Sequence, residues 1–230
     1  KNFTLWKKTF KKIYMINLIL SHSNRSLVYL EYIVRHFNKN NFGIIIFYGV
    51  EKEMLFKNTI NKLGLTNKII FFKSKNINKI KIKDSMINKK NFNIISSYPG
   101  EIVRNEVLLS KELIHCHPGN LPKFRGSTTI YYSIILTKEV CVTIIQLNKK
   151  IDEGKVLYKK KFKIPKDKFT IEKNYDNIIR AKTLINYLKL KVRKKSKSQK
   201  KNSHLPYFVA HPIIRQIVLD KKLLKYLNQS

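Results

Sequence analysis

Acidic side chains are scarce in this chain: 14 Asp and Glu stand against 48 Lys and Arg in 230 residues, a formal charge of +34 at pH 7. Glycine is sparse too, at seven residues. No Gly-rich phosphate loop is present, since Gly49-Val50-Glu51 after the second apolar run is not a GxGxxG fingerprint. The two cysteines, Cys116 and Cys141, sit inside apolar runs without CxxC-like spacing, which excludes a disulfide scaffold and fits a reducing, cytoplasmic setting. No apolar run approaches the roughly 18 residues of a membrane span, so no membrane partner is expected. Lys11-Lys12 followed by Ile13 to Leu20 mimics a secretory signal, but no small-residue cleavage site follows, and Ser21 to Ser26 reads as a turn and helix cap.

What is present is enough for a core: 43% of residues are hydrophobic and 11% aromatic, which suits one generous domain or one domain with an appendage. A positive charge of this size ordinarily points to nucleic acid or an anionic surface. Lys, Asn and Ile recur along the whole chain, however, including Asn76 to Lys90. That spread resembles compositional bias more than a sculpted basic face, so nucleic acid is a disfavoured partner.

Short apolar runs alternate with helical periodicity. Strands are predicted at Ile13 to Leu20, Gly43 to Tyr48, Lys68 to Phe72, Phe92 to Ser96, Leu113 to Cys116, Val140 to Leu147 and Lys155 to Phe162. Helices are predicted at Ser26 to Phe37, Lys52 to Leu63 with Gly64 as its stop, Thr128 to Leu136, and Ile171 to Leu190. Ile77 to Ile87 is an ambiguous polar stretch. The rhythm predicts an α/β fold, a Rossmann-like, mostly parallel sheet with helices on both faces. Residues 1–190 form the expected catalytic domain. Residues 191–230 form a basic linker and a short helical C-terminal extension, with Lys189 to Lys201 read as a mobile loop and Ile213 to Leu219 as a short helix.

Residues 113 to 126 carry the strongest chemical signal. His115 and His117 are two apart on a predicted strand and so share a face, while Pro118, Gly119 and Pro122 force an immediate turn. Ile151-Asp152-Glu153-Gly154 offers a carboxylate from a second loop, and an imidazole with a carboxylate partner moves protons near neutral pH. Cys116 points to the opposite face and reads as a core thiol. A zinc site would need third and fourth ligands, and His204 and His211 lie far off, so no metal is expected. An isolated Asp152 could merely cap a turn, and Arg125-Gly126 could brace the loop as well as touch substrate.

The run His115-Cys116-His117-Pro118-Gly119-Asn120-Leu121-Pro122-Lys123-Phe124-Arg125-Gly126 resembles the Asn-x-His-Pro-Ser-Leu-Leu-Pro-x-Tyr/Phe-Arg-Gly motif of the folate-dependent formyltransferases. Val142-Thr143-Ile144 and Asp152-Glu153-Gly154 resemble the second block of that family, and Ser96 to Val103 resembles the loop that approaches its pterin. The resemblance implies transfer of a formyl group from 10-formyltetrahydrofolate to a primary amine. It places His117 and Asp152 in catalysis and sets His115 where the family has an oxyanion-binding Asn. It assigns Ser97, Tyr98, Pro99, Gly100, Ile102 and Ile151 to the folate, and Asn120, Arg125 and Gly126 to the acceptor.

The stretch after Asp152 reads mainly as helix and shows no β-barrel pattern of the kind that tRNA formyltransferases add for RNA. The expected acceptor is therefore a small-molecule amine on a nucleotide-linked sugar, with a homodimer as one assembly. A tRNA formyltransferase lacking its RNA-binding domain, a formyltetrahydrofolate hydrolase and an inactive basic RNA-binding relative are the alternatives.

Overall fold

β-branched and aromatic runs with little to solvate them form the sheet in the computed structural model, which describes residues 15–166, 170–190, 196–200, 205–220 and 223. The strands are β1 Ile16–Ser21, β2 Phe42–Tyr48, β3 Ile69–Phe72, β4 Phe92–Ser96, β5 Ile114–His117, β6 Val140–Gln146 and β7 Lys155–Phe162. Their spatial order is β3-β2-β1-β4-β5-β6-β7. The first five are parallel, and β6 and β7 extend the sheet antiparallel. The winding direction reverses between β1 and β4, the place where open sheets of this kind bind ligands beyond the carboxyl ends of their strands.

Six α-helices accompany the sheet among the described residues: α1 Asn24–His36, α2 Glu53–Leu63, α3 Glu106–Leu109, α4 Thr129–Thr137, α5 Asp176–Lys189 and α6 Pro212–Leu219. The Ser23 hydroxyl accepts the Ser26 N–H and starts α1, and Gly64 ends α2 at φ 58°. The predicted helix from Ile171 instead opens with a π turn, Ile171–Tyr175, that leads into α5.

The two faces are covered unequally. On one, Tyr29, Leu30 and Ile33 of α1 pack with Ile179, Leu184 and Leu188 of α5 and with the sheet residues Leu18, Leu20 and Ile94. On the other, Ile77, Ile80, Ile82 and Ile87 join Leu108 of α3 over Ile19, Ile46 and Ile95. The stretch from Ile77 to Ile87 looks polar in sequence, yet its four isoleucines are buried, Ile77 in a single 3-10 turn, Ile77–Lys79, and Ile80, Ile82 and Ile87 on the irregular backbone that flanks it and a second turn, Asp84–Met86. Each such side chain taken fully from water contributes about 1.5–3 kcal/mol, enough to fix an irregular segment as a layer.

The C-terminal segment folds back on the sheet. Lys197 and Val156 exchange backbone hydrogen bonds of 2.8 and 2.9 Å, and Tyr207 bonds the chain on both sides of Gly126. The mobile-loop reading is thus corrected at residues 196–200, which are tied to β7. Lys11-Lys12, Ile13, residues 191–195, Lys201 and His204 lie outside the described residues. No described helix is long and apolar enough to cross a membrane.

Candidate active site

Beyond the carboxyl ends of β1, β4 and β5 lies a cleft of about 1400 Å³. The loops following β4, β5 and β6 meet there: Ser97, Tyr98, Pro99, Gly100 and Ile102 line one wall, His115, His117 and Gly126 another, and Ile151 and Asp152 the third. Ile102 and Ile151 remain 36% and 42% exposed, so apolar surface is left facing the hollow.

His117 is 2% exposed and held at both ring nitrogens. Nε2 lies 2.6 Å from the Phe124 carbonyl. A carbonyl only accepts, so Nε2 carries the proton in this bond, and Nδ1 is the nitrogen free to gain or lose one. Nδ1 faces Asp152 Oδ1 at 3.3 Å. The turn that presents the ring is pinned by Thr129, whose hydroxyl donates to the Pro118 carbonyl at 2.6 Å, and by Thr143, which donates to the Gly119 carbonyl at 2.6 Å. A Cβ on residue 119 would stand 2.8 Å from His117 Nε2, so glycine is what lets the Phe124 carbonyl reach the imidazole.

Asp152 has a left-handed backbone, φ 53°, which turns its carboxylate back under the loop. Oδ2 accepts the Gly126 N–H at 2.8 Å. Burial alone would raise this carboxyl's pKa. The neighbouring His117 charge and hydrogen bond, helped by His115 and the Gly126 N–H, outweigh burial and hold it well below the usual carboxylate range. Gly126, at φ 98°, is required for a second reason: a Cβ there would fall on the Tyr207 backbone, 2.7 Å from its nitrogen. Gly126→Ala is expected to cost about 1–3 kcal/mol of stability, and an unchanged urea midpoint would contradict this close approach.

His115 sits part-buried in the cleft wall, and among the described residues no hydrogen-bond partner engages its ring. Burial first, and then the positive charge of Arg25, push its pKa down to about 3, so the ring is neutral at neutral pH. The buried His22, stacked on Phe56 at 4.8 Å, is lowered mainly by burial as well. Each of these bases binds protons more weakly folded than unfolded. Stability should therefore fall as pH drops below the unfolded value of about 6.5. The thermal midpoint of His115→Asn should fall less between pH 7 and pH 5 than that of the unaltered chain. Equal falls would show that His115 does not carry the effect.

Two expected site residues stand elsewhere. Arg125 is buried and its guanidinium pairs with Glu153, bracing the two loops from behind the cleft. The Asn120 side chain accepts from Lys159 Nζ at 2.8 Å on β7. Neither lines the hollow.

Several lining residues carry no sequence motif. Arg25, in the first turn of α1, donates from Nε to Ser96 Oγ at 3.2 Å and also to the Ser97 carbonyl, tying α1 to the wall. Arg180 forms a two-pronged pair with Asp176 at 2.8 and 2.6 Å and donates to the Cys116 carbonyl at 3.3 Å. The i,i+4 Asp-Arg spacing on a predicted helix is the signal that would have found it. Cys116 itself is buried in the core on the opposite face of β5. Exposed His211 accepts the Ile213 N–H and caps α6. Among the described residues no three His, Cys, Asp or Glu side chains cluster as metal ligands would.

A family model described as formyl transferase matches residues 55–185, more than half of the chain. A methionyl-tRNA formyltransferase of Enterococcus faecalis is 36% identical over 76 residues, 32% of this chain and 24% of that protein. One from Ehrlichia ruminantium is 40% identical over 68 residues, 28% of this chain and 22% of that protein. The chain thus spans about a quarter of the length of these relatives. Among solved structures, glycinamide ribonucleotide transformylase 1 from Symbiobacterium toebii superposes with a TM-score of 0.58 at 12% identity, over 81% of this chain and 95% of that one. An N-formyltransferase from Helicobacter canadensis, in complex with folinic acid and dTDP-3-aminofucose, gives 0.53 at 17% identity, over 84% and 71%. At these identities the likeness shows a common fold.

Proposed function

Because the chain belongs to the formyl transferase family, we propose that it moves a formyl group from 10-formyltetrahydrofolate to a primary amine carried by a nucleotide-linked sugar. The observation that carries this reading is the His117–Asp152 pair, closed by the Gly126 N–H, inside a cleft that brings three loops together.

The chain's own residues fit each demand of the chemistry. As the amine nitrogen bonds to the formyl carbon, the carbonyl oxygen becomes an oxyanion. His115 is a neutral imidazole free to donate an N–H to it, the role of an electrophilic histidine. The attacking nitrogen must shed a proton. His117 Nδ1, its tautomer set by the Phe124 carbonyl, takes that proton, and the Asp152 carboxylate beside it stabilises the imidazolium. Collapse of the adduct breaks the bond to the folate nitrogen, and the His117 imidazolium returns its proton to that nitrogen as it leaves. Ile102 and Ile151, exposed in the hollow beside Tyr98, suit the flat face of a pterin.

For the acceptor, Arg25, Lys52, Lys75 and Lys150 line the cleft and would attract a diphosphate, as a nucleotide-linked sugar would supply. The Helicobacter canadensis neighbour was crystallised with such a sugar. A tRNA acceptor is the second reading, favoured by the sequence relatives. Screening nucleotide-linked amino sugars and an aminoacylated tRNA with the donor, and weighing the products, separates the two. A formylated sugar nucleotide is expected. Formylation of the aminoacyl-tRNA alone, falling steeply with salt, would replace the proposed acceptor.

A further inference from the structure

Asp152 is held by more than the partners of its carboxylate. The amide nitrogen of Gln199 lies 2.7 Å from the Asp152 carbonyl and 2.8 Å from the Gly154 carbonyl. A side-chain amide has two N–H donors, and here each has one carbonyl to satisfy. These two oxygens bracket the turn in which Asp152 adopts its left-handed φ of 53°, a conformation that a non-glycine residue keeps only where the surroundings hold it.

The segment that delivers Gln199 is itself anchored. Lys197, two residues earlier, exchanges both backbone hydrogen bonds with Val156 on β7, two residues past Gly154. Farther along the same segment, the Tyr207 N–H donates to the Arg125 carbonyl and its carbonyl accepts the Ser127 N–H, each at 2.8 Å. Those bonds flank Gly126, whose own N–H holds Asp152 Oδ2. Tyr207 also stacks on Phe124, the residue whose carbonyl holds His117, with ring centroids 5.7 Å apart. One stretch of chain therefore grips the carboxylate loop from behind and the imidazole loop from the side.

We propose that Gln199 is a positioning residue for the reaction: by bonding both carbonyls of the Asp152 turn it sets the angle at which the carboxylate meets His117 Nδ1, and so makes the C-terminal segment part of the catalytic unit. Gln199 touches no reacting atom. Its effect passes through Asp152, and the inference rests on the proposed use of the His117–Asp152 pair.

Two readouts separate this role from mere stability. Gln199→Leu should lower kcat by about 10- to 100-fold with KM for the formyl donor little changed, the cost of a carboxylate displaced by roughly an ångström. Gln199→Glu, whose ionised side chain cannot donate to either carbonyl, should lose as much at neutral pH and regain part of it, relative to the unaltered chain, as acidification restores a carboxyl O–H. The second readout needs no activity: the imidazole nitrogen NMR shifts of His117 in Gln199→Leu should move toward those of Asp152→Ala. If the ring shifts stay where they are in a folded Gln199→Leu protein, the inference is wrong. If they move while the unaltered chain transfers no formyl group, the positioning stands and the proposed reaction fails. Should Gln199→Leu not fold, the Gln199→Glu pH series decides, and a loss that acid does not relieve overturns the proposal.

Discussion

Replacing His117 with alanine or Asp152 with asparagine should each lower kcat for formyl transfer by about 10³- to 10⁴-fold, in protein that stays folded. The magnitude follows from triads in which one member holds an imidazole in its working state, where an Asp-to-Asn change alone costs about 10⁴. In the Asp152→Asn chain the new amide oxygen could still accept the Gly126 N–H, so the loop stays closed, but the charge that welcomes a proton on Nδ1 is gone. The two losses should not add. Both act on one proton, so the double variant should be little worse than either single one. Because the Asp152 carboxyl is held well below the usual range, the acid limb of the activity profile should not come from this residue. The same depression gives Asp152 a share of stability that is complete above the unfolded pKa of about 3.9 and fades only as pH falls toward the lower folded value. Full activity in either single variant would remove the pair from the mechanism.

His115→Ala should lower kcat by about 10²- to 10³-fold, the usual cost of one oxyanion donor. The informative partner is His115→Asn, which restores the amide that the related motif carries at this position. An amide donates as a neutral N–H, and the imidazole here is neutral as well, since burial and Arg25 push it down to about 3. Asparagine should therefore recover most of the activity, and the profile between pH 6 and pH 8 should keep its shape. If His115→Ala were as active as the unaltered chain, this ring would not face the reacting carbonyl. A profile that changed shape with His115→Asn would mean that the imidazole titrates in the working range.

Much of this site is legible in the sequence because its parts are local. His115 and His117 share a wall for the simple reason that strand side chains alternate, and Pro118, Gly119 and Pro122 turn the chain where β5 ends. Asp152 is fixed by a short turn after β6, and the loop from Ser97 to Gly100 follows directly from β4. The parallel order was likewise legible in the strand–helix rhythm.

What the pattern hid is contact between segments far apart in the chain. The two faces of the sheet receive different cover, because isoleucines spaced irregularly from Ile77 to Ile87 pack inward without any helical or strand period. Arg125 follows a motif that implied acceptor binding, yet only the fold reveals that Glu153 lies behind it. Gln199 lies in a basic, low-complexity run whose composition suggested a loose loop. Its two carbonyl partners are 47 and 45 residues away.

The most direct measurement follows carbon-13 placed in the formyl group of the donor, supplied with a panel of nucleotide-linked amino sugars to the unaltered chain and to His117→Ala. The label should leave the folate and appear as a new amide resonance with the unaltered chain, and stay on the folate with the variant. A label that never leaves the folate with any amine, or that moves equally fast without His117, would contradict the assignment of this cleft to formyl transfer.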